Sequence, residues 1–129
     1  MHRIRYMVND EDPETQGWPG LTVRFYRTSV GNEPVREWIR AQPRELREAI
    51  GEDIRAVQDG WPVGMPLVRA LGRGLFEVRT TLRGNEYRVM FSTFGDRTMV
   101  LLHAFHKKSR ATPKGHLEIA HQRQKDLTS

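Results

Sequence analysis

The chain contains no cysteine among its 129 residues. It therefore has no disulfide, no thiolate nucleophile and no cysteine-ligated zinc, a composition that fits a reducing compartment. The sequence also has no apolar run long enough to cross a membrane, and Met1-His2-Arg3 does not open a signal peptide. We therefore expect a cytoplasmic protein with no membrane partner.

Several common kinds of site are also missing. The histidines of the second half of the chain have no carboxylate in a recognised metal-ligand spacing. Gly72-Arg73-Gly74 is too short for a phosphate-binding loop and indicates a turn. Serines and threonines are present, but none lies in a nucleophile elbow. We therefore expect neither a metal ion nor a cofactor.

Charge is unevenly distributed along the chain, whose formal net charge is +5. Residues 1–20 carry two basic and four acidic side chains, and residues 21–68 carry seven of each. Residues 69–129 carry twelve basic and five acidic side chains, so the whole excess lies in this last segment. Because solubility alone needs no such segregation, the pattern favours a surface that faces a polyanion such as RNA, DNA or an acidic protein.

The first 20 residues show neither a helical nor a strand period. They combine the acidic run Asp10-Glu11-Asp12 with several prolines and glycines, so we predict a flexible lead-in over residues 1–20. The length of the chain predicts a single domain over residues 21–129.

The predicted domain begins with a strand and continues into two helices. Leu21 to Arg27 alternates apolar and polar residues, as a strand with one buried face does. Asn32 is placed to cap a first helix, and Pro43 allows a second helix to begin. The apolar stripe of the second helix consists of Leu46, Ala49, Ile50, Ile54 and Val57. The two helices are predicted to form an amphipathic hairpin.

Three strand-like runs follow, over residues 75–82, 86–94 and 98–106. Gly84-Asn85 and Gly95-Asp96 lie between them and favour two-residue hairpin turns. With two-residue loops, Val78 pairs with Phe91 and Phe91 with Val100, so the apolar residues of the three strands share one face. The sequence therefore predicts an antiparallel meander.

The second face of this meander is predicted to have two different ends. One end is basic and contains Arg79, Arg88, His103 and Lys107. The apolar end contains Leu75, Met90, Met99 and Leu101. We expect a helix from Pro113 to about Leu127 to cover the apolar end. A three-residue loop in either hairpin would reverse this assignment.

A series of short motifs runs through residues 74–127. They are Gly74-Leu75-Phe76-Glu77-Val78-Arg79, Tyr87-Arg88-Val89-Met90-Phe91, Val100 to Lys108, and Thr112-Pro113 followed by Glu118, Ala120 and Arg123. In this order and spacing they resemble the phage-derived HigB branch of the RelE/ParE toxin superfamily. The resemblance covers residues 21–127 and is strongest from residue 74 onward.

The resemblance implies an α+β, RelE-like fold of order β-α-α-β-β-β-α, in which an antiparallel sheet packs against a helical hairpin and a C-terminal helix. It also implies the toxin of a type II toxin–antitoxin pair. Toxins of the HigB and RelE kind cut mRNA at the ribosome, whereas ParE toxins inhibit DNA gyrase on the same fold. We expect a metal-independent endoribonuclease; a gyrase inhibitor and an inactive antitoxin-binding relative are the alternatives.

Cleavage by the ribose 2′-hydroxyl needs cations around the phosphate and a group that moves a proton. The candidate catalytic residues are Arg79, Arg88, His106, Lys107 and Lys108. Arg88 is expected to grip a phosphate, with an ion pair to Glu77 as the structural alternative. Arg79 either joins the site or braces the sheet. His106 is the candidate for proton transfer, and the two lysines either contact the substrate or only keep the strand end soluble.

Four further residues are expected to support RNA binding. Arg110, Lys114 and Arg123 add diffuse attraction for phosphates, and His103 is a second candidate for proton transfer. The expected partners are mRNA, the ribosome and a helix-turn-helix antitoxin of the HigA kind. Such an antitoxin binds the shared promoter, so the toxin would meet operator DNA only through it.

Overall fold

A computed structural model describes residues 20–95 and 97–128 of the chain. The elements are β1 (Thr22–Phe25), α1 (Pro34–Arg40), α2 (Arg44–Gly60), β2 (Val68–Gly72), β3 (Leu75–Leu82), β4 (Asn85–Phe94), β5 (Thr98–Lys107) and α3 (Lys114–Thr128). The predicted lead-in over residues 1–20 lies outside the described residues, except for Gly20. None of the helices in the described part of the chain has the length and apolar character needed to span a membrane.

The described strands form one five-stranded mixed sheet in the order β1-β5-β4-β3-β2. The α+β class agrees with the prediction, but two details of the sheet differ from it. The first is β2, an edge strand that the sequence did not predict because three of its five residues are exposed and its apolar period is weak. The second is β1, which pairs parallel to β5, so the sheet is not wholly antiparallel.

The helical hairpin begins one residue later than predicted. Glu33, not Asn32, precedes α1, and Pro34 occupies the first helical position, where its missing N–H costs no hydrogen bond. The backbone N–H of Glu33 donates to the Glu37 carboxylate at 3.1 Å. As predicted, α2 begins directly after Pro43. The predicted stripe faces inward along the whole helix, with Ala49 half-buried and the other members buried.

The hairpin between β3 and β4 turns one residue earlier than predicted. Leu82 pairs with Asn85, so the turn residues are Arg83 and Gly84. Both have positive φ, 51° and 78°, as a two-residue turn of type I′ requires. Val78 therefore pairs with Val89 instead of Phe91. This register differs from the predicted one by two residues, so each side chain keeps its predicted face.

The hairpin between β4 and β5 departs further from the prediction. Phe94 pairs with Thr98, which leaves a loop of three residues and reverses the faces of the first part of β5. A bulge between Met90 and Phe91 then adds one residue to β5, so that Met90 pairs with His103. The faces return to the predicted arrangement beyond the bulge. Met99 and Leu101 were therefore assigned to the wrong face.

The two sides of the sheet carry separate apolar clusters. We call the side that packs against α1 and α2 the hairpin face, and the side that packs against α3 the α3 face. Buried sheet residues of the hairpin face are Val23, Phe25, Val68, Val78, Val89, Phe91, Met99, Leu101 and Ala104. The α3 face buries Leu75, Met90, Val100, Leu102 and Phe105 with Ala120 of the helix. As predicted, α3 covers an apolar area on the second face.

Candidate functional site

Beyond the apolar cluster, the α3 face continues into a cationic area at the end of the three central strands. We call it the cationic end and define it as Arg79, Arg88, Lys107, Lys108 and Arg110. Arg79 pairs with Arg88 across the β3–β4 ladder, and Lys107 pairs with Glu86, two residues before Arg88. Paired residues and residues two apart project to the same side of a sheet. The first three cations therefore share one face, as predicted.

Arg88 lies below the surface of this area. Its side chain is 2% exposed, and its Nη1 atom donates to Glu86 Oε1 at 3.1 Å and to the Tyr87 carbonyl at 3.0 Å. Its Nε atom lies 3.5 Å from Glu77 Oε2, and Glu77 is itself only 1% exposed. The expectation of a guanidinium open to a phosphate is therefore wrong for this conformation. The ion pair with Glu77, which the sequence offered as the alternative, is present.

Arg79 and Lys107 both fasten neighbouring loops. The Arg79 guanidinium donates to the Pro66 carbonyl at 3.3 Å, which braces the loop before β2. The Lys107 ammonium donates to the carbonyls of Ser109 at 2.6 Å and Arg110 at 2.7 Å, where the chain leaves β5. Lys107 is half-buried, whereas Lys108 and Arg110 are exposed. The charges of the turn after β5 therefore form the accessible part of the cationic end.

His106 lies on the other side of the sheet. Consecutive residues of a strand point to opposite faces, so His106 faces the helical hairpin while Lys107 faces α3. The His106 ring stacks on Tyr87 with centroids 4.6 Å apart, and Tyr87 in turn contacts Trp38. The expectation that His106 acts beside the Lys107 side chain is therefore not met by this arrangement.

His103 fastens α3 to the sheet instead of facing solvent. Its Nε2 atom lies 2.7 Å from Nδ1 of His116, and His116 stacks on Phe105 with centroids 3.9 Å apart. Burial lowers the pKa of His103 to about 4, and nearby His116 and Arg123 act in the same direction. His103 is therefore neutral near pH 7 and packs against α3. This arrangement does not fit the predicted role in RNA binding.

The two remaining basic candidates belong to α3. Arg123 donates to the Leu102 carbonyl at 2.8 Å, and its guanidinium lies 5.4 Å from the centre of the Tyr26 ring. Arg123 therefore holds α3 against the sheet, and contributes less as a surface charge. Lys114 is exposed and lies 3.8 Å from Glu118, a weak surface pair that leaves its charge accessible.

One residue of this area was missed by the sequence reasoning. Glu86 shares a face with Arg88 and pairs with Lys107 in the β4–β5 ladder. It accepts hydrogen bonds from Arg88 and from Thr81 Oγ1, and 37% of its side chain is exposed. The Thr81 hydrogen bond lowers the pKa of Glu86, and Arg88 and Arg79 lower it further. The signal in the sequence is its spacing, since a residue two before Arg88 on a strand must share its face.

The cationic end keeps a positive balance after its ion pairs are counted. The area contains five basic side chains and the two carboxylates of Glu77 and Glu86. The excess of positive charge suits a polyanion. Within residues 20–95 and 97–128, no group of three or more His, Asp or Glu side chains is arranged to hold a metal ion.

Residues 37–125 match the family described as phage-derived protein Gp49-like (DUF891). The match extends from α1 through most of α3 and includes every residue of the cationic end. The chain belongs to this family. The Gp49-like family is related to the RelE toxins, and its members are generally toxins of toxin–antitoxin pairs. No match to the chain was found among curated proteins. The finer resemblance to the HigB branch stays a prediction.

Proposed function

We propose that this protein is a ribosome-dependent endoribonuclease and the toxin of a type II toxin–antitoxin pair. The observation that carries the proposal is the cationic end, where Arg79, Arg88 and Lys107 come from three neighbouring strands to one face. The sheet fixes these charges before substrate arrives, and the exposed Lys108 and Arg110 of the adjoining turn are open to a phosphate. Membership of the Gp49-like family agrees with the toxin role.

The proposed reaction is attack of a ribose 2′-hydroxyl on the adjacent phosphorus, with no metal ion taking part. Lys107, Lys108 and Arg110 contact the phosphate oxygens at the surface, where negative charge accumulates in the transition state. Arg88 adds positive charge from just below them, and Arg79 holds the neighbouring loop. Lys114 attracts the flanking phosphates of the RNA.

Brief expression in bacteria, followed by mapping of RNA ends, tests this proposal. The wild-type protein should generate new ends within translated mRNAs. Lys107→Ala should reduce the yield of these ends by about 100-fold, the effect of removing one group that stabilises a developing anion. Lys125→Ala is the matched control, because Lys125 is an exposed lysine of α3 outside the cationic end and should leave cleavage unchanged.

The same experiment separates the alternatives. If growth stops while transcripts stay intact and DNA breaks accumulate, the protein is a gyrase inhibitor of the ParE kind and not a nuclease. Abundant, folded protein without growth arrest would leave an inactive relative that binds only an antitoxin. Because Lys107 also fastens the turn after β5, the thermal unfolding midpoint of Lys107→Ala should be measured beside its activity.

We further propose that the antitoxin is a helix-turn-helix protein of the HigA kind that also binds the shared operator, and that the toxin acts in the cytoplasm, where ribosomes are found. A small reading frame beside the gene should encode this antitoxin. Co-expression should abolish growth arrest, and the two chains should purify as one complex. Operator DNA should bind the complex but not the toxin alone.

A further inference from the structure

Glu86 is a partly exposed carboxylate beside the cationic end. It shares a face with Arg88 and pairs with Lys107 in the β4–β5 ladder. Its carboxylate is held by Arg88 and by Thr81 of β3, whereas the Lys107 ammonium is directed to the carbonyls after β5. Its exposed fraction of 37% contrasts with 1% for Glu77, whose carboxylate is enclosed. Glu86 is therefore accessible to a substrate, whereas Glu77 is not.

The surroundings of Glu86 fix its orientation and its charge. Arg88 Nη1 donates to Oε1 at 3.1 Å, and Thr81 Oγ1 donates to Oε2 at 2.7 Å. The Thr81 hydrogen bond, followed by Arg88, lowers the pKa of this carboxyl, so it is ionised near pH 7. An ionised carboxylate retains free lone pairs on both oxygens and accepts a proton but donates none.

The histidines near this area are not placed to accept a proton at the cationic end. His106 projects to the hairpin face and stacks on Tyr87. His103 is bound to His116 beneath the start of α3. A reaction at the phosphate site of the cationic end therefore draws its proton acceptor from other side chains, and Glu86 is the nearest to Lys107 in the register.

We propose that Glu86 is the general base of the cleavage reaction, an inference that rests on the function proposed above. Its carboxylate takes the proton of the ribose 2′-hydroxyl while the bond between that oxygen and phosphorus forms. The bond between phosphorus and the 5′-oxygen breaks, and the leaving oxygen keeps the electron pair and takes a proton from water. The products are a 2′,3′-cyclic phosphate and a 5′-hydroxyl end, and Glu86 returns its proton to the solvent.

This assignment gives the buried cation a role. Arg88 holds one oxygen of Glu86 and keeps the carboxylate charged, so Arg88 is a positioning residue that acts through Glu86. Thr81 holds the second oxygen in the same manner. Lys107 pairs with Glu86 across the ladder and donates to the Ser109 and Arg110 carbonyls, and we assign the third hydrogen of its ammonium group to the phosphate.

The test is single-turnover cleavage of ribosome-bound mRNA by Glu86→Gln. The amide oxygen can accept the hydrogen bond from Arg88, and the amide nitrogen can donate to the Thr81 hydroxyl oxygen. The amide takes no proton, so cleavage should slow by about 100-fold or more. Binding to programmed ribosomes should stay equal or tighten, because a negative charge has left the phosphate site. Glu45→Gln is the matched control, since Glu45 also pairs with an arginine, Arg83, at an exposed position on α2. It should cleave at the wild-type rate.

A second variant provides a readout that a merely structural role would not change. Glu86→His replaces the carboxylate by a base whose ordinary pKa is about 6.5. Its residual cleavage should rise with pH across the range 5 to 7.5, whereas the wild-type rate should be almost flat there. If Glu86→Gln fails to fold, the pH profile of Glu86→His still tests the proposal, because its cleavage rate is normalised to the amount of folded protein.

The possible outcomes distinguish an error in the Glu86 assignment from an error in the proposed function. Cleavage by Glu86→Gln within a few-fold of the wild-type rate, or a flat pH profile for Glu86→His, would overturn the assignment. Loss of ribosome binding in Glu86→Gln together with the loss of cleavage would also overturn it, because Glu86 would then serve binding. A wild-type protein that leaves RNA whole would instead remove the proposed function itself, before any variant is compared.

Discussion

The two faces of the sheet are covered to different extents. The hairpin face is packed by two helices, and its buried cluster runs from β1 to β2 across every strand. The α3 face is packed by one helix, and its smaller apolar cluster gives way to charged residues near the end of β5. The stability of the fold is therefore expected to depend mainly on one face, and the chemistry to take place on the other.

Adjacent leucines of β5 test this difference most directly. Leu101 packs on the hairpin face and Leu102 on the α3 face, and both are fully buried. We expect Leu101→Ala to lower the free energy of unfolding by about 3–5 kcal/mol and Leu102→Ala by about 2–3 kcal/mol, because a face closed by one helix collapses more readily around a cavity. Urea denaturation measures both values. Equal losses would mean that the two faces contribute alike.

The buried ion pair of the α3 face should show a large effect of a different origin. Glu77→Ala leaves Arg88 buried with only Glu86 as a charged partner, and we expect a loss of about 3 kcal/mol in unfolding free energy. Glu45→Ala removes an exposed pair with Arg83 and should cost less than about 1 kcal/mol. Similar losses in the two variants would show that burial does not set the strength of these pairs.

The contact between α3 and the sheet should respond to pH. His103 has a pKa of about 4 in the folded protein and 6.5 as its ordinary value, so the unfolded chain binds the proton first. The folded state therefore loses stability as pH falls from about 6.5 toward 4. After allowance for partial solvent exposure, we expect a loss of about 1–2 kcal/mol from this residue.

The variant His103→Gln isolates that contribution. Its unfolding free energy should fall less than that of the wild-type protein between pH 7 and pH 4.5, as measured by urea denaturation at each pH. Charged or titratable groups that face His103 are His116 and Arg123 of α3, and both remain in the variant. Parallel pH curves for the two proteins would contradict this interpretation of the histidine pair.

Local pattern predicted most of the elements but not all of the pairing. The apolar stripe of α2 and the alternation in β3 are set by neighbouring residues, so both agree with the structure. The short edge strand β2 has little alternation and is stabilised by pairing with β3, which no local signal reports. The same holds for β1, whose parallel partner β5 lies more than 70 residues along the chain.

The sequence predicted the shared face of the basic residues better than it predicted their contacts. The sequence placed Arg79, Arg88 and Lys107 on one face, and the structure agrees. It did so although the second hairpin has the three-residue loop that reverses the faces, because the bulge at Met90 and Phe91 restores them before Arg88 is reached. Two errors in register thus cancelled along the strand.

The amino-acid sequence by itself determined the concentration of positive charge after residue 68, the amphipathic α2 and the strands that carry the cations, because composition and short-range periodicity depend only on neighbours in the chain. Only the tertiary structure decided that Arg88 is buried against Glu77, that His106 faces away from the Lys107 side chain and that Glu86 stays partly exposed beside Arg88. Burial and ion pairing depend on which strands meet and where a bulge falls. Those choices follow from the packing of the whole domain.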